Sequence, residues 1–322
     1  MPKVTIIGNT SWGNTLGVLL SDKGAVVNLW TRSEAEANEL NQGRRSYSST
    51  SHIGGALNGA DLVIWAVPSQ KLRENVSQAR EYLTNSMLLM SAAKGLEVGS
   101  GKRMSQVLAE EIAPSLRRQI CILSGPNLAG EIAQGLPAAS VIAAQDIALA
   151  ERAQELMESP KFLLSTIDDV IGVELGGALK NIIALGAGMI DGLGLGDNAK
   201  GAFIAWGWNE VVDLGGALGA RAGTFYGLAG LGDLIATCSS TLSRNHYVGY
   251  ELAKGRSLSE ISASMTHVAE GVATTVAVHQ LAKNQGLKLP IINLIYGILF
   301  ESLPPSRVLS KFKGLVTSHH SF

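Results

Sequence analysis

Short apolar runs alternate with helical patterns through the first half of the chain. Val4-Thr5-Ile6-Ile7 reads as a buried strand, and Trp12 to Lys23 as a helix ended by Gly24. Ala25 to Trp30 predicts a second strand, after which Ser33 is placed to cap a helix over Glu34 to Asn41. Asp61 to Ala66 predicts a third strand, closed by Pro68. Met87 to Ser91, Gln119 to Leu123 and Ala139 to Ala143 continue the series. Strands this short, alternating with helices, predict βαβ units and a parallel, doubly wound sheet.

The pattern changes near Asp168. Long helical stretches follow (Val170 to Ile190, Ala199 to Leu218, Ala269 to Asn284, Ile291 to Phe300) with almost no strand signal, and Thr166 to Asp169 supplies cap residues for the first. The expected division is an α/β domain over residues 1–167 and an all-helical domain over residues 168–322. No fixed-period repeat or low-complexity tract interrupts either.

Composition narrows the function classes. A chain of 322 residues has room for two domains. Aromatic residues are only 5% of it, so Ala, Leu, Ile and Val must build the core. Lys+Arg 26 against Asp+Glu 27 leaves a net charge of −1, with no chain-wide basic field for nucleic acid or anionic membrane. A local basic pocket stays open. Cys121 and Cys238 form no CxxC pattern, which excludes a secreted disulfide scaffold and fits buried thiols in a reducing cytosol. The histidines, with His319 and His320 in the C-terminal tail, form no metal-ligand spacing, so no metal is expected. The N-terminus lacks the apolar core of a signal peptide. Gly172 to Gly196 is strongly apolar but carries Glu174, Lys180, Asn181 and Asp191, which predicts a core helix rather than a membrane span. The expected setting is cytoplasmic.

The first strand runs into Gly8-Asn9-Thr10-Ser11-Trp12-Gly13, where a GxGxxG loop would present a helix N-terminus to a dinucleotide diphosphate. Thr10 occupies the second glycine position. The second strand ends Leu29-Trp30-Thr31-Arg32 without the carboxylate expected for the ribose of NAD. Arg32 can face a 2′-phosphate, stack on adenine, or simply be solvated. Val67-Pro68-Ser69, Lys94-Gly95 and Ser124 to Ala129 follow later strands, at the edge where such sheets bind ligands. Lys180 lies inside an apolar, Gly-rich helix, which is costly unless it faces a partner or a site. A bridge to Glu174 is disfavoured, because six residues place the two on opposite helix sides. Ser243 can cap a helix over Asn245 to Lys254, leaving Arg244 and Asn245 to meet a phosphate or only solvent. Asp233, in Gly230-Leu231-Gly232-Asp233-Leu234, also reads as a turn residue.

In this order, and with Gly196 to Lys200, Thr237-Cys238 and Val268-Ala269-Glu270-Gly271, these blocks resemble the NAD(P)-dependent glycerol-3-phosphate dehydrogenase family of bacterial type over most of the chain. The resemblance implies a Rossmann-like dinucleotide-binding domain followed by a helical substrate-binding domain. It implies NADP or NAD as cofactor, held by Gly8, Ser11, Trp12, Gly13, Arg32, Lys94, Ala129, Arg244, Val268 and Glu270. Dihydroxyacetone phosphate or sn-glycerol 3-phosphate would meet Lys94, Gly125, Asn127, Lys180, Asn181, Asp233, Thr237, Ser243, Arg244 and Asn245. Lys180 matches the catalytic lysine, with Lys94 and Asp233 beside it in catalysis. Supply of glycerol 3-phosphate for phospholipid synthesis is the implied role, and a homodimer is compatible with it. Two positions depart from the pattern. Thr10 replaces a glycine, so its Cβ should hold the diphosphate off the loop unless its hydroxyl compensates, and Asn127 stands where serine is common. With no carboxylate at Trp30 or Thr31, NADPH is expected to be accepted at least as well as NADH, unless Glu34 folds back and neutralises Arg32.

Overall fold

The computed structural model describes residues 1–43 and 45–308, so His319 and His320 lie outside the described residues. Among these, one eight-stranded sheet contains β1 (Lys3–Ile7), β2 (Val26–Trp30), β3 (Ser48–Thr50), β4 (Leu62–Trp65), β5 (Leu88–Ser91), β6 (Ile120–Ser124), β7 (Ala138–Ala144) and β8 (Phe162–Ile167). The helices threaded between them are α1 (Ser11–Asp22), α2 (Glu34–Gln42), α3 (Ile53–Leu57), α4 (Leu72–Ala79), α5 (Met104–Glu111), α6 (Ala129–Ala133) and α7 (Ile147–Met157). The strand order is β3-β2-β1-β4-β5-β6-β7-β8.

Side chains alternate across each strand. Ile6 and Ile64 therefore join α1 and α7 on one face, while Ile7, Val63 and Trp65 join α4 and α5 on the other. Burial on both faces is why these strands are continuous apolar runs.

The sheet is mostly parallel, not wholly so as the sequence pattern predicts. β7 runs antiparallel to β6. The cause is the length of the connection. After β6 the chain makes only α6, of five residues, which at ~1.5 Å per residue cannot carry it back along the sheet. β7 thus starts at the edge where β6 ended. The 11-residue α7 spans the return, and β8 lies parallel to β7. The edge strands β3 and β8 escape the sequence pattern, β3 being Ser-Ser-Thr and β8 half exposed. Thr166 belongs to β8, so Asp169 alone of the expected cap residues caps the next helix, accepting from the Gly172 amide at 2.9 Å.

That helix, α8 (Val170–Gly192), is the axis of the second half. It is followed by α9 (Asp197–Ala217), α10 (Asp233–Ser239), α11 (Arg244–Ala253), α12 (Leu258–Ser264), α13 (Glu270–Gln285) and α14 (Pro290–Phe300). By length and apolarity α8 would cross a membrane, yet 89% of its apolar window is buried inside the protein. Ile122, Val141 and Ala143 of the sheet pack on Val173 of α8 and on Ala229. Two glycines permit this approach. A Cβ at Gly176 would stand 2.9 Å from the Ala229 carbonyl, and one at Gly177 2.3 Å from Ser124 Oγ. Glu174 fixes the contact, accepting from Arg103 Nη1 at 2.5 Å and from the Ser105 amide and hydroxyl at 2.7 and 2.6 Å. Lys180, about one turn beyond Gly177, is thereby delivered to the carboxyl edge of the sheet.

Candidate active site

Strand order reverses between β1 and β4, the place where open α/β sheets leave a ligand crevice. A cleft of about 610 Å³ opens there and extends to α8, α11 and the chain before α13. Gly8 leaves β1 at φ +127°, and a Cβ on it would lie 2.7 Å from the Ala66 carbonyl, so the turn requires glycine. Asn9, Thr10, Ser11 and Trp12 then line the cleft at the start of α1.

Thr10 is the N-cap of α1. Its hydroxyl accepts from the Gly13 amide at 3.0 Å and donates to the Ala66 carbonyl at 2.7 Å. Its backbone is extended, at φ −119°, so a Cβ is unstrained where the motif has glycine. The hydroxyl proton is committed to Ala66, which removes the compensating bond to a diphosphate considered above. No acidic residue occupies the first turn of α1. Its positive end faces the cleft unopposed, and a dinucleotide diphosphate fits it.

At the end of β2, Trp30, Thr31 and Arg32 line the cleft together with Glu36. The acid on this wall is therefore Glu36 and not Glu34. Ser33 Oγ accepts from the Glu36 amide at 3.2 Å, and this cap turns residue 36 toward the strand end.

The lysines meet on one carboxylate. Lys180 Nζ donates to Asp233 Oδ1 and to Thr237 Oγ1, both at 2.5 Å. Lys94 Nζ donates to Asp233 Oδ2 and to the Gly125 carbonyl, both at 2.7 Å. Burial drives the Lys180 pKa down to about 8; Asp233 opposes the fall and the Lys94 charge assists it. One carboxylate thus holds two ammonium groups at the seam of the halves, with Lys180 almost fully buried and Lys94 half buried.

α11 supplies the opposite wall. Ser243 caps it, accepting from the His246 amide at 3.2 Å. Asn245 Nδ2 donates to Asn181 Oδ1 at 2.8 Å and its Oδ1 accepts from the Gly271 amide at 2.9 Å, leaving one side-chain N–H uncommitted. Arg244 is exposed and donates to the Val268 carbonyl at 3.0 Å. Glu270 bolts the halves together by accepting from the Ser69 amide at 3.0 Å and from its hydroxyl. Burial pushes the Glu270 carboxyl up, against the pull of those donors. Asn127 accepts from Ser140 Oγ at 2.6 Å, while its buried Nδ2 has no protein partner.

One cleft therefore gathers Gly8, Ser11, Trp12, Arg32, Lys94, Asn127, Ala129, Lys180, Asn181, Thr237, Ser243, Arg244, Asn245, Val268 and Glu270. Gly13, Gly125 and Asp233 stand behind its wall. Gly13 closes on the Gly8 carbonyl, Gly125 receives Lys94, and Asp233, 1% exposed, is reached from the cleft only through the two lysines it accepts from. Lining residues to which the sequence assigned no role of their own include Asn9 and Leu128, within quoted blocks, and Glu36, Leu242 and His267, outside them. The spacing from the Ser33 cap could have found Glu36. Leu242 and His267 sit in irregular loops that carry no periodic signal.

The N-terminal model of the NAD-dependent glycerol-3-phosphate dehydrogenase family matches residues 3–150, and its C-terminal counterpart matches residues 169–310. The chain is 51% identical to a glycerol-3-phosphate dehydrogenase (NAD(P)+) of Dehalococcoides mccartyi strain 195, over 99% of this chain and 92% of that protein. The one from Syntrophomonas wolfei is 43% identical, over 93% of this chain and 91% of its own length. The crystal structure of glycerol-3-phosphate dehydrogenase from Coxiella burnetii superposes with a TM-score of 0.90 at 30% identity, covering 97% of this chain and 98% of that one.

Proposed function

The chain belongs to the NAD-dependent glycerol-3-phosphate dehydrogenase family, and from that premise we propose how its cleft works as an NAD(P)-dependent oxidoreductase interconverting dihydroxyacetone phosphate and sn-glycerol 3-phosphate. The observation that carries the mechanism is the Lys180–Asp233–Lys94 bridge at the seam of the two halves. When bound, the nicotinamide supplies the hydride for C2 of the three-carbon phosphate, or receives it from there.

Lys180 gives its proton to the C2 oxygen during reduction and takes it back during oxidation. A pKa of about 8 keeps both forms populated near neutral pH, as an acid–base group requires. Lys94 sets a second positive charge beside that oxygen, which stabilises the developing alkoxide. Arg244, the spare N–H of Asn245 and the N-terminus of α11 take the substrate phosphate and so orient C2. The start of α1 takes the diphosphate and Arg32 faces the ribose. Oxidation of NADPH or NADH in the presence of dihydroxyacetone phosphate tests the reading, and absence of turnover with both cofactors would refute it.

Arg244→Ala should cost dihydroxyacetone phosphate about ten- to a hundredfold more kcat/KM than unphosphorylated dihydroxyacetone, the worth of one charge-assisted bond. Equal losses would mean that Arg244 serves only the Val268 carbonyl. At the other end of the cleft, Arg32→Ala should weaken NADPH more than NADH by about tenfold. Glu36→Ala should move the ratio the opposite way, since its carboxylate repels a 2′-phosphate. Titrating both cofactors against each variant reads the ratio directly. An unchanged ratio in Arg32→Ala would leave Arg32 stacking on adenine or facing solvent.

A further inference from the structure

Ser11 Oγ and His267 Nε2 lie 3.3 Å apart across 256 residues of chain. Ser11 is the first residue of α1, at the helix end that faces the cleft without a nearby acid. His267 belongs to residues 265–269, the chain between α12 and α13, and its neighbours Thr266 and Val268 also line the cleft. The helical half thus lays a strap over the diphosphate end of a site whose floor the sheet half builds. The ring of His267 is exposed and meets a hydroxyl there, not a carboxylate.

We propose that His267 is a cofactor-binding residue contributed by the helical half, which as an imidazolium grips the dinucleotide diphosphate together with Ser11 and makes cofactor affinity rise as pH falls. The inference rests on the dinucleotide reading of the cleft. Histidine is the side chain whose ordinary charge change falls between about pH 5 and 8, and a diphosphate beside it favours the charged form. The resulting N–H to phosphate bond is charge-assisted. The other charged groups that line the cleft have their own partners or positions. Arg244 is held by the Val268 carbonyl and Glu270 by Ser69. Lys94 and Lys180 share Asp233. Arg32 and Glu36 stand at the end of β2. His267 is the ionisable side chain on the strap itself, residues 265–269.

The test is NADH binding to the full chain without substrate, followed by nicotinamide fluorescence at about pH 6 and about pH 8. NADH is chosen because the 2′-phosphate of NADPH itself titrates near pH 6. The wild type should bind about three- to tenfold more tightly at the lower pH, a partly solvated share of a charge-assisted bond. His267→Ala should lose most of that gain, keeping only the smaller share that Lys180, deeper in the cleft, contributes between the two pH values. His267→Lys, which keeps the charge, should bind tightly at both. KM for dihydroxyacetone phosphate at saturating NADH should stay at the wild-type value in His267→Ala. The same affinity and pH slope in His267→Ala and wild type would overturn the proposal, as would a KM rise matching any loss of affinity. Failure of every form to bind NADH would instead bring down the dinucleotide reading itself, and this inference with it.

Discussion

Lys180→Ala should lower kcat for reduction of dihydroxyacetone phosphate by about 10²- to 10⁴-fold, the usual worth of a general acid. NADH affinity and melting temperature should stay close to wild type. The reason lies in how the charges are shared. Asp233 accepts from both lysines, so removing one ammonium leaves the carboxylate paired with the other. No buried ion is stranded, and the truncated side chain opens onto the cleft, where water can enter. A protein that keeps near-wild-type kcat after this change would rule out Lys180 as the proton carrier. One that loses both kcat and its fold would say that Lys180 is structural.

Asp233→Asn should be the more disruptive change for its size. The amide is isosteric, but two ammonium groups then face each other without the carboxylate they share. Leaving a buried charge without its partner typically costs about 3–5 kcal/mol. Asp233 is also what holds the Lys180 pKa up against burial and the Lys94 charge. With it neutral, the Lys180 pKa should fall below about 8, so the protonated acid needed for reduction is scarcer at neutral pH. A kcat loss of about a hundredfold near pH 7.5, partly recovered by acidifying the assay, is the expected signature. A uniform loss at every pH, with the profile unmoved, would mean that Asp233 only holds geometry.

Much of this was legible in the sequence, for identifiable reasons. β1, β4 and β5 are buried on both faces, so each stands out as a nearly continuous apolar run, with only Thr5 and Ser91 polar among their buried residues. β3 and β8 lie at the sheet edges and need no such run. The reversed direction of β7 depends on the length of α6, a segment without helical period. Lys180 announced itself because a lysine amid apolar residues must have a partner. Its partner, however, is 53 residues away in a stretch that reads equally well as a turn, so the bridge emerges only on folding. The Arg32 wall was misread by two residues, Glu34 for Glu36, because a cap decides which side of the first turn faces the strand end. His267 left no signal at all, being a loop residue brought to Ser11 only by the docking of one half on the other.

The most direct test of Lys180 as a proton carrier is the pH dependence of kcat/KM measured in both directions on the same preparation. Reduction needs the ammonium and oxidation the neutral amine. With the Lys180 pKa held to about 8 in the unliganded cleft, kcat/KM for reduction should therefore fall and kcat/KM for oxidation should rise through a common midpoint near that value. Both transitions should vanish from the residual activity of Lys180→Ala. Limbs that do not mirror each other, or that persist unchanged in Lys180→Ala, would contradict it.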